Sequence, residues 1–140
     1  MEQYLISFSF QPYPLQMLPI DSASFSILLS NILDNAIEAT LRITDEGQPK
    51  EINLQFARSW SMFYITCTNT MNSTTIKKLG SRYISSKENK RIHGFGIESI
   101  RQVVRSGGGT CDFSTDGSQF KVDIVLPDNE SHPAQQISKK

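Results

Sequence analysis

The chain carries few of the residues that mark specialised environments. Its 140 residues include two cysteines and two histidines. Cys67 and Cys111 are too far apart for a CxxC pair, and two isolated cysteines argue against a disulfide framework. Both sit in strand-like runs, "FYITCTNT" and "GTCDFST", where a thiol serves as a small core residue. His93 and His132 have no metal-ligand spacing with them, which argues against a zinc centre. Basic and acidic residues balance at 14 each, so the bulk charge that drives nucleic-acid binding is missing. No apolar run approaches the roughly 18 residues of a bilayer span. "MEQYLISFSF" has neither a basic n-region nor a small-residue cleavage site, unlike a signal peptide. No GK[ST] occurs, so a Walker loop is absent. The expectation is a soluble, intracellular chain that touches neither nucleic acid nor membrane.

What is present is an ordinary globular mixture, 38% apolar and 20% charged, long enough for one core. "YLISFSF" (Tyr4 to Phe10) alternates as a strand does. Pro12, Pro14 and Pro19 then hold the chain extended. Asp21 or Ser22 can cap a helix over about Ser22 to Arg42, whose apolar positions recur at three and four. "TDEGQPK" is a turn cluster. "EINLQFAR" and "SMFYITCTN" predict a hairpin across Ser59 and Trp60, with Trp60 covering the corner. Met71 to Arg91 is a polar run too long for an ordinary connector, in the range of functional lids or disordered loops. "HGFGIESIRQVVRSGGG" predicts a glycine-opened helix stopped by Gly107 to Gly109. A second hairpin turns at Asp116 and Gly117. The order β, α, β, β, lid, α, β, β, with strands in adjacent antiparallel pairs and helices on one face, predicts a two-layer α/β sandwich. Residues 1–127 form the domain and 128–140 a flexible tail. Ile27, Leu28, Ile32, Ile37, Leu54, Phe56, Phe63, Ile65, Ile100, Val104, Phe113, Val122 and Ile124 are the expected core.

Two stretches carry chemistry. In "LLSNILDNAIEATL" a turn of about 100° per residue brings Asn31, Asp34, Asn35 and Glu38 to one face. That face is either a solvated one or a ligand site. Amide oxygens are hard, neutral ligands suited to Mg²⁺, which also takes substrate phosphates. In "HGFGI", Gly94 and Gly96 admit close backbone approach and open a helix at Ile97, where exposed N–H groups favour phosphate. By itself a GxG is equally an ordinary turn. A dinucleotide fingerprint fits poorly, because Ser99 stands at the third glycine position and a polar loop precedes the motif.

In combination the motifs are more specific. "NILDNAIEA" resembles the N-box, and "HGFGIESI" the lid-side glycine box, of the Bergerat-fold (GHKL) ATP-binding superfamily. "NAIEA", the "SSK" before "HGFGI" and the terminal "FKVDIVLP" are most similar to the catalytic domains of sensor histidine kinases, notably the quorum-sensing peptide-receptor type. The resemblance spans roughly Ser22 to Pro127. It implies ATP and Mg²⁺ as cofactors, with Asn35 coordinating the metal. It makes Asn31 and Asn35 the catalytic pair. Asn31 stands where hydrolysing relatives carry a glutamate base, and a neutral amide cannot take a proton at pH 7. Phosphoryl transfer to a side chain is therefore implied in place of hydrolysis. The implied nucleotide contacts are Asn31, Asn35, Asn69, Ser86, Lys87, His93, Gly94, Phe95, Gly96 and Ile97.

This chain departs from the family pattern in three places. No DxG follows the second strand of the central hairpin, and Asn69 is the substitute acceptor for adenine's amine. Glu38 stands where many kinases have a lysine, which leaves charge neutralisation to the metal and to Lys87, Lys90 or Arg91. "MEQYLISFSFQPYPLQ" holds no histidine, so the phosphoacceptor would lie on a dimerisation segment outside this chain, with a response regulator as the indirect partner. The chain then corresponds to the cytosolic end of a membrane receptor. The competing readings are an anti-sigma-type serine kinase and a degenerate nucleotide-binding interaction module.

Overall fold

The computed structural model describes residues 6–11, 18–72, 96–116 and 119–128. Strand β1 (Ser7–Gln11) leads through helix α1 (Ser22–Leu41) to β2 (Glu51–Ser59) and β3 (Met62–Thr70). Helix α2 (Gly96–Ser106) precedes β4 (Thr110–Asp116) and β5 (Gln119–Pro127). The strands form one sheet in the order β1-β2-β3-β5-β4. This is the expected two-layer α/β arrangement, with a mixed, mostly antiparallel sheet.

The hairpins β2–β3 and β4–β5 are antiparallel as expected. β1 is not part of an antiparallel pair. It runs parallel to β2, with Phe8 beside Ile52 and Phe10 beside Leu54. The physical reason is the connection: a helix between two neighbouring strands returns the chain to the same end of the sheet, which makes the pair parallel.

Helix α1 begins where its sequence says it should. The Asp21 carboxylate accepts from Ser24 N–H at 2.9 Å, and these bonds to Ser24 hold its carboxyl below the ordinary value. Such a cap supplies a partner to an otherwise orphaned donor of the first turn. Helix α2 stops at the glycine run: Gly109 N–H reaches Val104 O at 2.9 Å and Gly108 adopts φ +80°. Gly109 also lies so close to β5 that a Cβ there would stand 2.2 Å from Val125 O. Only glycine permits that approach.

The strands alternate as a half-buried sheet requires. Ile52, Leu54 and Phe56 of β2, Phe63, Ile65 and Cys67 of β3, and Phe120, Val122, Ile124 and Leu126 of β5 all turn inward. They meet Phe25, Leu28, Ile32, Ala36 and Ala39 of α1 and Ile97, Ile100 and Val104 of α2. Phe25, Phe56 and Phe63 form an aromatic cluster with centroids 5.9–6.1 Å apart. Phe113 stacks on Phe120, and the Arg101 guanidinium lies 4.8 Å from the Phe113 ring.

Three expectations are corrected. Ile27 and Ile37 are 50% and 40% exposed, so they are not core. Both lie five residues from buried Ile32, about 140° round the helix and away from the sheet. Trp60 is 91% exposed and covers no corner. Asp128, assigned to the tail, is buried. Its carboxylate pairs with Arg58, and its N–H donates to Ser61 O at 2.7 Å. Asp128 is therefore packed with the sheet and not free of it.

Candidate nucleotide-binding site

The two asparagines of α1 lie on the same side of the helix because they are four residues apart. Asn31 is half-buried and Asn35 is 6% exposed. Asp34 and Glu38, expected on the same stripe, point to solvent instead, and Glu38 pairs with Arg42 at 3.3 Å. The stripe thus divides, with carboxamides inward and carboxylates outward. That division favours a site over a merely solvated face.

Helix α2 receives the amides. A Cβ on Gly96 would meet Asn35 Nδ2 at 3.0 Å and Oδ1 at 3.1 Å, so a side chain here would press the amide aside by a few tenths of an ångström. One turn further along α2, Ser99 Oγ accepts from Asn31 Nδ2 at 2.8 Å. Two successive turns of α1 therefore seat their carboxamides on two successive turns of α2. Asn35 Nδ2 is buried without a hydrogen-bond partner among the described residues. Leaving such a donor unmatched costs about 1–3 kcal/mol, which a ligand oxygen would recover.

Asn69 is the penultimate residue of β3, flanked in the sheet by Ile52 and Phe120. It is 3% exposed and lies on the helix-facing side with Phe63, Ile65 and Cys67. Its Nδ2 donates to Thr70 O at 2.8 Å. The donor end is thereby committed, leaving the carbonyl as the acceptor that an adenine amine needs. The end of β3 is fixed to the rest of the fold: Gln48 Nε2 donates to Met71 O at 2.5 Å, and Thr70 Oγ1 accepts from Glu51 N–H at 3.0 Å.

Of the other expected contacts, Gly96 and Ile97 open α2. The Ile97 side chain is fully buried in the core, so it cannot touch a ligand, and only its backbone N–H remains for that role. Ser86, Lys87, His93, Gly94 and Phe95, with Lys90 and Arg91, lie outside the described residues. Ser99 is the residue the sequence reading missed as a site component. Its signal was a hydroxyl three residues after the second glycine, on the turn that faces the asparagine helix. A groove of about 350 Å³ lined by Ser7, Ser9, Asn53 and Thr68 opens among outward-facing sheet positions, away from these amides.

Among the described residues no cluster of histidine, cysteine, aspartate or glutamate could hold a metal. A cation here would need amide oxygens, which suit a hard ion that keeps much of its water. The carboxamide oxygens of Asn31 and Asn35 fit such a group, and the unmatched donor on Asn35 fits an oxygen of a phosphate bound to it.

Residues 20–127 match the family described as the GHKL domain. The chain belongs to the GHKL domain family. Over 117 residues this GHKL domain is 28% identical to the sensor histidine kinase NatK of Bacillus subtilis (strain 168). The alignment takes in 81% of this chain and 36% of NatK, so the chain spans little more than a third of that relative. Its fold is that of histidine kinase catalytic domains. The catalytic domain of histidine kinase ThkA superposes with a TM-score of 0.63 at 18% identity, covering 88% of this chain and 78% of that one. The histidine kinase domain of the Erythrobacter litoralis EL346 blue-light activated kinase gives 0.64 at 16%, covering 90% and 53%. The mycobacterial sensor histidine kinase MprB gives 0.58 at 20%, covering 87% and 81%. No helix among the described residues is long and apolar enough to cross a membrane.

Proposed function

We propose that this GHKL domain is the catalytic domain of a sensor histidine kinase that binds Mg²⁺·ATP and donates its γ-phosphate to a histidine on a separate phosphoacceptor and dimerisation segment. The observation that carries the reading is the buried, unpartnered Asn35 Nδ2 held against Gly96. Folded proteins seldom leave a buried polar group unmatched, and an amide donor beside a helix start is suited to an oxygen of a metal-bound phosphate chain.

Asn31 and Asn35 are the residues that would hold Mg²⁺, whose chemistry when bound is to neutralise charge on the phosphates. Asn69 offers its carbonyl to the adenine amine, and the backbone at Gly96 and Ile97 offers donors to phosphate. No carboxylate stands where a base would activate water, since Asn31 is neutral at every physiological pH. Phosphoryl transfer needs mainly positioning and charge stabilisation, so this set serves transfer to a side chain better than hydrolysis. The catalytic unit is assigned to residues 1–127 with Asp128. Ser86, Lys87, His93, Gly94 and Phe95 are proposed contacts on sequence grounds alone. The same holds for assignment to the cytosolic end of a quorum-sensing peptide receptor and for a response regulator downstream.

Calorimetric titration with ATP, ADP and GTP, with and without Mg²⁺, tests the reading. Saturable binding of adenine nucleotides that strengthens with Mg²⁺ is expected. Absence of binding at millimolar ATP with Mg²⁺ present would overturn it.

A further inference from the structure

Ser99 lies one turn into α2 and touches Asn31, 68 residues away in the sequence, through a 2.8 Å hydrogen bond from the amide nitrogen to Oγ. An asparagine side chain has two different ends: NH₂ donates and the carbonyl accepts. Its terminal torsion is broad and roughly two-fold, so an amide without a fixed partner presents either end to its surroundings. In the structure Asn31 is held in one of these two orientations, with its NH₂ end on Ser99 Oγ. The donor end is held by α2, and the carbonyl oxygen is the end left for a ligand.

The chemistry selected by this choice is specific. A phosphate oxygen would need the NH₂ end. A divalent cation, or a water bound to one, needs an oxygen. Asn35, a turn away, shows the other case: its Nδ2 is buried with no partner, so its orientation is not fixed by a protein acceptor. The two amides are thus differently prepared, one oriented by protein and one waiting for ligand.

We propose that Ser99 is a positioning residue that turns Asn31 into an oxygen donor for the metal side of a bound Mg²⁺·nucleotide. This rests on the nucleotide-binding reading given above. Ser99 itself touches neither metal nor nucleotide. Its effect falls on the part of the affinity that depends on Mg²⁺, while binding of the base is untouched.

The test compares wild type, Ser99→Ala, Ser99→Thr, Asn31→Ala and the Asn31→Ala/Ser99→Ala double variant by calorimetry, with ATP in Mg²⁺ and in EDTA. Circular dichroism and thermal melting confirm that each variant folds. A lost hydrogen bond of ordinary strength predicts about a five- to tenfold weaker Mg²⁺·ATP affinity for Ser99→Ala, with metal-free affinity unchanged. Ser99→Thr, which keeps the hydroxyl, should restore it. On the Asn31→Ala background, Ser99→Ala should add nothing. If wild type binds Mg²⁺·ATP and Ser99→Ala binds it equally well, the role of Ser99 is wrong and the nucleotide reading stands. An equal loss with and without metal, not rescued by threonine, means Ser99 only packs the helices and also overturns the proposal. If wild type itself fails to bind, the nucleotide reading falls and the Ser99 proposal falls with it.

Discussion

The carboxamide of Asn35 lies against the backbone of Gly96, within 3.0 Å of where a Cβ would stand. The neighbour that an added methyl would meet is a whole amide plane, since Nδ2, Oδ1 and Cγ all fall within 3.3 Å of it. Asn35 is buried and cannot simply swing aside. Gly96→Ala should therefore displace Asn35 and cost about 1–3 kcal/mol of stability, the usual penalty for overpacking. Mg²⁺·ATP affinity should fall by about tenfold or more, because an atom moved by a few tenths of an ångström no longer meets its ligand at bonding distance. Chemical denaturation and calorimetry on the same sample check both. Unaltered affinity in a destabilised variant would separate Gly96 from the site.

Asn35→Ala should uncouple stability from binding. Truncating a buried residue normally destabilises, yet here the amide nitrogen has no partner, and its removal relieves a desolvation penalty of about 1–3 kcal/mol. The cavity left by the side chain opposes that gain. A net stability change within about 1 kcal/mol is expected, together with loss of Mg²⁺-dependent ATP binding. A large drop in melting temperature would show that the amide is structural. Full binding would remove it from the mechanism.

Much of this fold was legible because local and global signals agreed. The Asp21 cap and the three–four spacing from Phe25 to Ala39 placed α1 within one residue at its C-terminal end. The alternation in "EINLQF" and "FYITC" fixed the inward faces of β2 and β3. The same periodicity misplaced Ile27 and Ile37, because α1 is apolar on more than one side and spacing does not say which side meets the sheet. The parallel pairing of β1 was not legible either, since a strand without a hairpin turn does not announce its neighbour. At the site, Asn31, Asn35 and Gly96 were visible as motifs. Ser99 was not, because its partner is 68 residues distant and only the crossing of two helices brings them together.

The two thiols should differ sharply in reactivity. Burial pushes the Cys67 thiol up to about 12, and it lies in the core. Burial also raises the Cys111 thiol, with Arg101 opposing, but that residue is half-buried on the edge strand β4. Only thiolate attacks a disulfide reagent. At pH 8 the native protein should expose one slowly reacting thiol, Cys111, and its rate should rise with pH. Cys67 should react only on unfolding, at a rate that follows denaturant concentration. Titration with an aromatic disulfide, followed by mass mapping of the labelled residue, decides the order. Equal labelling of both cysteines in buffer would contradict the burial of β3.

Trp60 sits in the two-residue turn between β2 and β3 with φ +57° and its side chain 91% exposed. A bulky L-residue in that region crowds its own carbonyl, at about 1–2 kcal/mol. Asparagine tolerates the same conformation far better, through local hydrogen bonding. The indole packs on so little that removing it forfeits almost no burial. Trp60→Asn should then stabilise the protein by about 0.5–1 kcal/mol, read as a rise of a few degrees in melting temperature. Trp60→Gly should gain less, because glycine adds freedom to the unfolded chain. Lower stability in Trp60→Asn would mean that the ring is covered in the folded protein, contrary to its position at the hairpin tip.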